Sequence, residues 1–368
     1  MRNSIHIAIL CLVSLFAAGC DKSVTDAPEV EKDVWVSLNI GIALSDSAVP
    51  ERSSRADVHE GPADESEKMQ TLRIVVVDKD GNVEANRFLY AGSVVEYGEE
   101  HFKVRANETK QVYVFVNEKN KSVKVYEAAV SDPIADFHAY LGGIEVGEPF
   151  PRTEIEGLEV RLNGGVGSEL DAAGGGYEKA AGGLPMSTCE TVEVGDTDLS
   201  HKISLHRAAV KFTFNITNKS GRERALTGLH IDKMSRREYY LPRVTEYDAY
   251  KDIVDFAVPN VGNNDYYGFA KSFDDGGLAL PDGETVTTSP VYLLEGKYEP
   301  GDWKNYSMSI SVNGADTGYE YLTNLDRLPR NTHVVVNIVF GVSDVTWTVD
   351  LRPYGEVKLD PDFGLDRD

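Results

Sequence analysis

The residues with the clearest metal-ligand spacing lie in the stretch DKDGNVE, where Asp78, Asp80 and Asn82 alternate as at the start of a calcium loop. An EF-hand loop requires glycine at its sixth position and a bidentate glutamate at its twelfth. In this stretch Gly81 is the fourth residue and Leu89 is the twelfth. The sequence therefore favours a β-hairpin turn, because Asp-Gly between two apolar runs is a strong hairpin signal.

Histidines and other acidic residues provide no better chemical site. His201 and His206 flank a predicted strand at a spacing of five, which places them on opposite faces. Asp360 and Asp362 have few potential ligands around them and are interpreted as part of a solvated tail. No Ser-His-acid set and no pair of catalytic carboxylates is identifiable from spacing, and the glycine-rich stretches lack phosphate-loop context. We predict no catalytic residue, no metal site and no cofactor.

The N-terminus carries an export signal. A short basic start is followed by the apolar run IAILCLVSLF and by AAGC, which ends at Cys20. The apolar run is too short for a transmembrane helix, which needs about 20 residues. We predict a lipoprotein signal peptide over residues 1–19 and lipid attachment at Cys20; a plain secretory signal is the alternative, since Ala17 stands where leucine is usual. Cys189 would then be the one thiol left, without a disulfide and buried as a small apolar residue.

Composition limits the classes of partner. The chain has 368 residues and a formal net charge of -23, with acidic residues scattered along it. Such a charge opposes binding to nucleic acid or to anionic lipid, because both are negatively charged. The length is sufficient for two ordinary domains with sizeable cores.

The elements that would position any site are strands. Residues 34–44 alternate between apolar and polar side chains without a break, which is typical of a half-buried strand. The inward face of this predicted strand consists of Val34, Val36, Leu38, Ile40, Ile42 and Leu44. A hairpin is predicted around Gly81, one long strand over residues 201–216, and a single helix around residues 132–141 that begins near Pro133.

Many short strands with turns between them predict an all-β fold of β-sandwich domains. The polar stretch TNKSGRER is the best candidate for a boundary between two of them. We predict a lipidated propeptide over residues 20–55, an N-terminal domain over residues 56–222 and a C-terminal domain over residues 223–368.

Several ordered motifs resemble one family. After the lipoprotein signal come ERSSRADVHEGPADESEKMQTLRIVVVD, then GLPMSTCETVEV with ISLHRAAVKFTFNI, then SPVYLLEG with LPRNTHVVVNIVF, and finally VTWTVDLRPYGEV. In this order they resemble the FimA-type fimbrillins, the pilin subunits of type V pili in Gram-negative bacteria, over nearly the whole chain. The chain departs from the family at Tyr354, where the family often has tryptophan.

This resemblance implies two transthyretin-like sandwiches and a maturation step. In the family, an Arg-specific protease cuts a loop after the first strand of a lipidated precursor, the strand is lost, and a neighbouring subunit's terminal strand fills the groove. The junction Arg55-Ala56 is similar to the family's cleavage site, and Arg52-Ser53 is the second choice. The removable strand would be residues 34–44.

The C-terminal stretch is the candidate donor strand. Its apolar face consists of Val345, Trp347, Val349, Leu351, Val357 and Leu359. Pro353 and Gly355 interrupt that face, so an ordinary final strand of the second domain is the alternative. The polar ending LDPDFGLDRD favours a tip or accessory role over a stalk role.

The resemblance implies a structural or tip subunit of a surface fimbrium, not an enzyme. Its partners would be other fimbrial subunits and an unidentified host or bacterial receptor, and it would reside at the outer membrane as a lipidated precursor before joining an extracellular fimbrium. A lipid-retaining anchor subunit is one alternative. A non-pilus surface lipoprotein that binds glycan or peptide is another. Its candidate aromatic residues, which fit a core or an interface equally well, are Trp303, Tyr239, Tyr240, Tyr266 and Tyr267.

Overall fold

The computed structural model describes residues 34–44, 67–95, 97–120, 123–162, 183–247, 253–259, 266–273, 276–298, 306–322 and 327–353. Regular structure in these ranges is almost entirely β, which confirms the predicted all-β fold. The strands of the first half are β1 (Trp35–Leu44), β2 (Met69–Val77), β3 (Val83–Val95), β4 (Tyr97–Arg105), β5 (Glu108–Val116), β6 (Val125–Tyr126), β7 (Glu159–Arg161), β8 (Met186–Val194) and β9 (Leu199–Arg207).

The second half contributes shorter and more numerous strands. They are β10 (Val210–Asn218), β11 (Arg224–Ser235), β12 (Arg237–Tyr239), β13 (Val244–Tyr247), β14 (Ile253–Phe256), β15 (Tyr266–Ser272), β16 (Leu278–Leu280), β17 (Thr285–Thr287), β18 (Val291–Leu293), β19 (Gly296–Lys297), β20 (Ser307–Val312), β21 (Ala315–Asp316), β22 (Glu320–Tyr321), β23 (Arg327–Leu328), β24 (Thr332–Phe340) and β25 (Val345–Pro353).

Seven strands of the first half form one sheet, in the order β3-β2-β5-β8-β9-β1-β4. The predicted hairpin is its β2–β3 pair. The carboxylate of Asp78 accepts hydrogen bonds from the backbone amides of Asp80 and Asn82, at 2.9 and 2.8 Å, and Gly81 adopts a φ of 88°. The acidic side chain at this turn therefore stabilises the backbone of the hairpin.

The two faces of β2 and β5 belong to different cores. Ile74, Val76 and Val114 face one core together with β1, β4, β8 and β9. Val75 and Phe115 face the other, which continues through the helical segment into the sheets of the second half. The alternation of side chains along a strand explains this division.

The helices differ from the prediction. The structure has α1 (Phe137–Gly142), which begins later than predicted because Asp136 caps it, its Oδ1 accepting from the amide of Ala139 at 2.9 Å. Pro133 therefore lies outside the first turn. A second helix, α2 (Arg152–Glu156), is too short to show a helical period in the sequence.

The single strand predicted over residues 201–216 is wrong, because the chain changes sheets at Ala208 and Ala209. Both alanines are buried, and their backbones bond to separate segments: Ala208 N donates to Pro185 O and Asn331 N donates to Ala209 O, each at 2.8 Å. β9 ends before them in the first sheet, and β10 starts after them in a second one. The boundary at residue 222 stays a prediction, but β10, which it assigns to the first domain, hydrogen-bonds within the second sheet.

Two larger sheets organise the second half. One has the order β17-β10-β24-β25, with β18 also paired to β10, and the other has the order β15-β11-β20-β21, with β16 and β22 at its sides. Their inward side chains continue the second core. In the described part of the chain, no helix is both long and apolar enough to cross a membrane.

Candidate functional site

β1 is an interior strand of the first sheet, although it comes first in the described chain. It pairs antiparallel with β4 at nine positions, from Trp35 opposite Arg105 to Ala43 opposite Tyr97. On its other side it pairs parallel with β9 at seven positions. We call the space between β4 and β9 the β1 slot.

The neighbours of β1 depend on it for their own pairing. Among the described strands, β4 is at the end of the sheet and pairs with β1 alone. β9 has only two register pairs with β8, at Arg207 and His206. An empty β1 slot would therefore leave most of two strands without partners, which is costly unless another strand enters.

Four side chains of β1 are buried in the first core. Val36 is 6% exposed, and Leu38, Ile40 and Ile42 are fully buried. Each such residue contributes about 1.5–3 kcal/mol, so that together they stabilise the sheet by roughly 6–12 kcal/mol as an upper bound. The expectation that Val34 is buried is wrong, since it precedes the strand and is 49% exposed.

The outer face of β1 is linked to both neighbours through one polar side chain. Asn39 Oδ1 accepts from His101 Nδ1 on β4 at 2.5 Å, and Asn39 Nδ2 donates to Ser200 Oγ on β9 at 3.4 Å. In addition, the backbone amide of Ser37 donates to Asp198 Oδ1 at 2.8 Å. Asparagine is uncommon in strands, so this three-strand bridge is a specific feature of the slot.

The predicted processing residues lie outside the described ranges. Cys20 precedes them, and Arg52, Ser53, Arg55 and Ala56 fall between β1 and β2. Lipidation and cleavage at these positions stay predictions. The leucine at position 44 belongs to β1, but its side chain is also outside the description.

Glu67 holds the chain in place just before β2. Its buried carboxylate accepts from Tyr292 Oη at 2.6 Å and lies 3.0 Å from Lys211 Nζ, both in the second half of the molecule. Its backbone oxygen accepts from Arg207 Nε at 3.0 Å. The start of β2 is thus fixed independently of β1.

The predicted donor strand is folded onto its own half of the molecule. β25 pairs antiparallel with β24 at nine positions and has β24 as its one partner among the described strands. Val345, Trp347 and Val349 are partly buried and pack against the second core, whereas Leu351 is 53% exposed. The remaining members of the predicted face, Val357 and Leu359, are outside the described residues.

The other candidates from the sequence are separated in the structure. His201 Nε2 lies 3.0 Å from Glu190 Oε2. Cys189 is partly rather than fully buried, its thiol donates to Gln111 Oε1 at 3.5 Å, and burial raises its pKa to about 11. No group of three or more metal-ligating side chains occurs within the described ranges. Asp360 and Asp362 lie beyond them.

The four aromatic residues proposed for glycan binding that lie in the described ranges do not form an exposed cluster. Tyr240 and Tyr267 are buried core residues, which agrees with the core alternative and excludes both from an exposed cluster. Tyr239 is covered by Arg243, whose guanidinium lies 3.6 Å from the ring centroid, and Tyr266 stacks on another tyrosine. Trp303 is outside the described residues.

A buried charge cluster at the junction of the two halves was missed by sequence reasoning. Arg330 Nε and the carboxylate of Glu295 lie 2.9 Å apart, and Arg330 Nη1 donates to Tyr240 O at 3.1 Å. Glu238 Oε2 accepts from the amide of Glu295 at 2.9 Å; burial raises the pKa of Glu238, and the neighbouring Glu295 adds to this against the opposing effect of Arg330. Glu295, directly after the apolar run VYLL, was the available signal.

His206 lies beside this cluster and is mostly buried. Its Nδ1 has no hydrogen-bond partner among the described residues, and burial lowers its pKa to about 4, with further lowering by Arg330 and Arg207. The imidazole is therefore neutral in the folded protein at neutral pH. Nothing in this arrangement provides a nucleophile with an adjacent base.

Comparison with known proteins identifies the fold. No protein-family model and no curated protein sequence matches the chain. The structure is similar to a candidate cell adhesion protein from Parabacteroides distasonis, with a TM-score of 0.55, 12% identity, and coverage of 87% of this chain and 98% of that one. It is also similar to the tip fimbrial protein Mfa3 from Porphyromonas gingivalis with C-terminal truncation, with a TM-score of 0.50, 13% identity, and coverage of 87% and 99%.

Proposed function

We propose that this chain is a structural or tip subunit of a cell-surface fimbrium, exported as a lipoprotein and assembled by strand exchange at the β1 slot. The role is assembly and adhesion, not catalysis. Cys20 would carry the lipid, and an Arg-specific cut at Arg55-Ala56, or at Arg52-Ser53, would free β1 from β2. Another fimbrial subunit would then supply a replacement strand.

The position of β1 is the observation that carries this proposal. It is the strand before the predicted cut, yet it lies inside the sheet and contributes four side chains to the first core. Once the backbone is cut, only noncovalent contacts hold it. Since Glu67 fixes β2 separately, β1 can leave without drawing β2 out of the sheet.

The shared fold is consistent with this function. The two solved structures described above are a candidate cell adhesion protein and a tip fimbrial protein. Both are covered over nearly their whole length, so the likeness extends over the entire architecture. It supports a fimbrial role by analogy of fold.

The decisive experiment is to determine the N-terminus and intact mass of the protein from cells and from sheared surface fibres. A lipid-free chain that begins at Ala56 or Ser53 is the expected product. A diacylated chain that begins at Cys20 and is absent from sheared material would contradict strand removal.

A lipid-retaining anchor subunit is the second candidate. It is favoured by the dependence of β4 and β9 on β1, because a subunit that keeps its first strand needs no partner to complete the sheet. The same mass measurement distinguishes the two roles, since an anchor retains Cys20 and its lipid.

A further inference from the structure

We infer that the β1 slot selects an aliphatic strand from a different subunit and rejects the terminal strand β25 of a second copy of this chain. The inference rests on the proposed function and specifies the partner. It follows from three independent features, which are the size of the buried positions, the register of the available side chains, and the present packing of β25.

The buried positions of the slot are uniform in size. They are occupied by one valine, one leucine and two isoleucines, and three of the four are fully buried. Interiors are close-packed, so a side chain larger than its position displaces its neighbours and destabilises the core. An incoming strand must therefore offer aliphatic residues at four alternate positions.

No register of the terminal strand meets this requirement. If Val345 takes the position of Val36, Trp347 falls on the fully buried position of Leu38. Moving the strand two residues toward the N-terminal end of the slot places Pro353 at the position of Ile42.

The remaining registers are worse. A shift of two residues in the other direction brings Ser343 to the buried valine position and the tryptophan to that of Ile40. Larger shifts toward the N-terminal end of the slot place Pro353, Gly355 or Pro361 at one of the four buried positions. A shift by a single residue turns Thr346 and Thr348 toward the core instead of the apolar side chains. The mismatch is therefore a property of the sequence and not of one alignment.

β25 is also occupied in its own sheet. It forms the full ladder with β24, and its tryptophan packs against the second core. Withdrawing it would expose one edge of β24 and uncover part of that core, and the slot of another copy would not restore the loss. Homopolymerisation through β25 is thus disfavoured twice: the donor copy loses a strand from its own sheet, and the β1 slot of the acceptor copy does not fit that strand.

The outer face of the slot adds a second requirement. His101 and Ser200 both bond Asn39, so the incoming strand should present asparagine, serine or threonine at that position. The next outward position, Gly41, lies between Glu99 and Lys202 in the register. The partner strand runs antiparallel to β4 and parallel to β9, with one hydrogen-bonding residue between its second and third aliphatic side chains.

The test compares two grafts in the full-length chain. In one, residues 36–42 carry the sequence VTWTVDL of residues 345–351, and in the matched control the same graft has leucine instead of tryptophan. We expect the tryptophan graft to unfold at least about 5 °C lower, because the larger ring overpacks a fully buried position. Equal midpoints, or a higher midpoint for the tryptophan graft, would overturn the inference.

Two further measurements keep the test decisive. If neither graft folds, Leu38→Trp is compared with Leu38→Met, and equal midpoints would again count against selectivity. Separately, the full chain is cut with an Arg-specific protease, β1 is released and removed in denaturant, and the remaining chain is returned alone to native buffer; we expect no ladder of polymers, and a ladder would overturn the inference. The grafts report on the slot even if cells never remove β1, so their outcome is distinct from that of the maturation experiment.

Discussion

Asn39 is the residue whose contribution can be isolated most cleanly, because it bridges β4 and β9 from an exposed face. We expect Asn39→Ala to lower the free energy of unfolding by about 1 kcal/mol through loss of two hydrogen bonds. Ser37→Ala is the matched control, since the contact of Ser37 with Asp198 uses its backbone amide. Urea denaturation of both variants measures the difference, and equal stabilities would show that the bridge contributes nothing.

The buried face of β1 predicts a larger effect. Ile40→Ala should destabilise the protein by about 2–5 kcal/mol, because it removes a fully buried side chain and leaves a cavity. Val34→Ala, at a half-exposed position on the same side of the alternation, should cost less than about 1 kcal/mol. A similar loss for both in chemical denaturation would mean that the two positions do not differ in burial as the structure describes.

For single residues, the sequence predicted burial correctly where apolar and polar side chains alternate with a period of two. Alternation alone identified Val36, Leu38, Ile40 and Ile42 as buried. It could not show that Val34 lies before the ladder, since the pattern has no signal for where pairing stops. The buried charge cluster could not be predicted, because Glu238, Glu295 and Arg330 are far apart in the sequence and only the fold brings them together.

Among the elements, β1 should stay bound after the chain is cut. The fragment is held by two ladders and four buried side chains, so an Arg-specific protease acting between β1 and β2 should leave it in place in native buffer. Size-exclusion chromatography followed by mass spectrometry should find it with the main chain, and find it free in denaturant. Elution as a free peptide under native conditions would contradict this.

The terminal strand yields a second prediction for an element. Trp347→Ala should lower the free energy of unfolding by roughly 1–3 kcal/mol, because its ring packs on the second core. Leu351→Ala on the same face is half-exposed and should change it by less than about 1 kcal/mol. Thermal unfolding of both variants tests whether β25 is an integral strand; an unaffected midpoint for the tryptophan variant would indicate that it is not.

The elements themselves were predicted well where turns are explicit and poorly where they are not. The Asp-Gly turn predicted the β2–β3 hairpin correctly. The change of sheet at Ala208 and Ala209 has no turn residue, so the sequence there looks like one continuous strand. Small buried side chains permit the bend, and the partners that stabilise it are remote in sequence.

For the whole molecule, the junction of the two halves should make stability depend on pH. The folded protein holds the pKa of His206 near 4, below its usual value of 6.5, so the unfolded chain binds the proton more tightly. The contribution of neutral His206 to the free energy of unfolding is fully present above pH 6.5. It is lost as the pH falls towards 4, and the loss is at most about 3 kcal/mol. His206→Gln should show a shallower loss than the parent over this range in urea titrations, and parallel curves would contradict the assignment.

The overall architecture was predictable only in class. Strand-rich composition and frequent turns indicated sandwiches, and the structure is all-β. The order of strands in the first sheet could not be derived, because β1 and β9 pair across most of the domain sequence and no local pattern specifies a parallel partner. The same long-range pairing makes the slot visible in the structure but not in the sequence.

The parallel pairing of β1 with β9 has a mechanical consequence. β9 runs through the two alanines directly into β10, an interior strand of the second sheet. A strand seated in the slot and pulled along its axis would load its hydrogen bonds in shear, so that many must break together instead of one after another. Tension would pass from one sheet to the next along a single continuous backbone, the geometry that a thread of noncovalently joined units needs to resist flow.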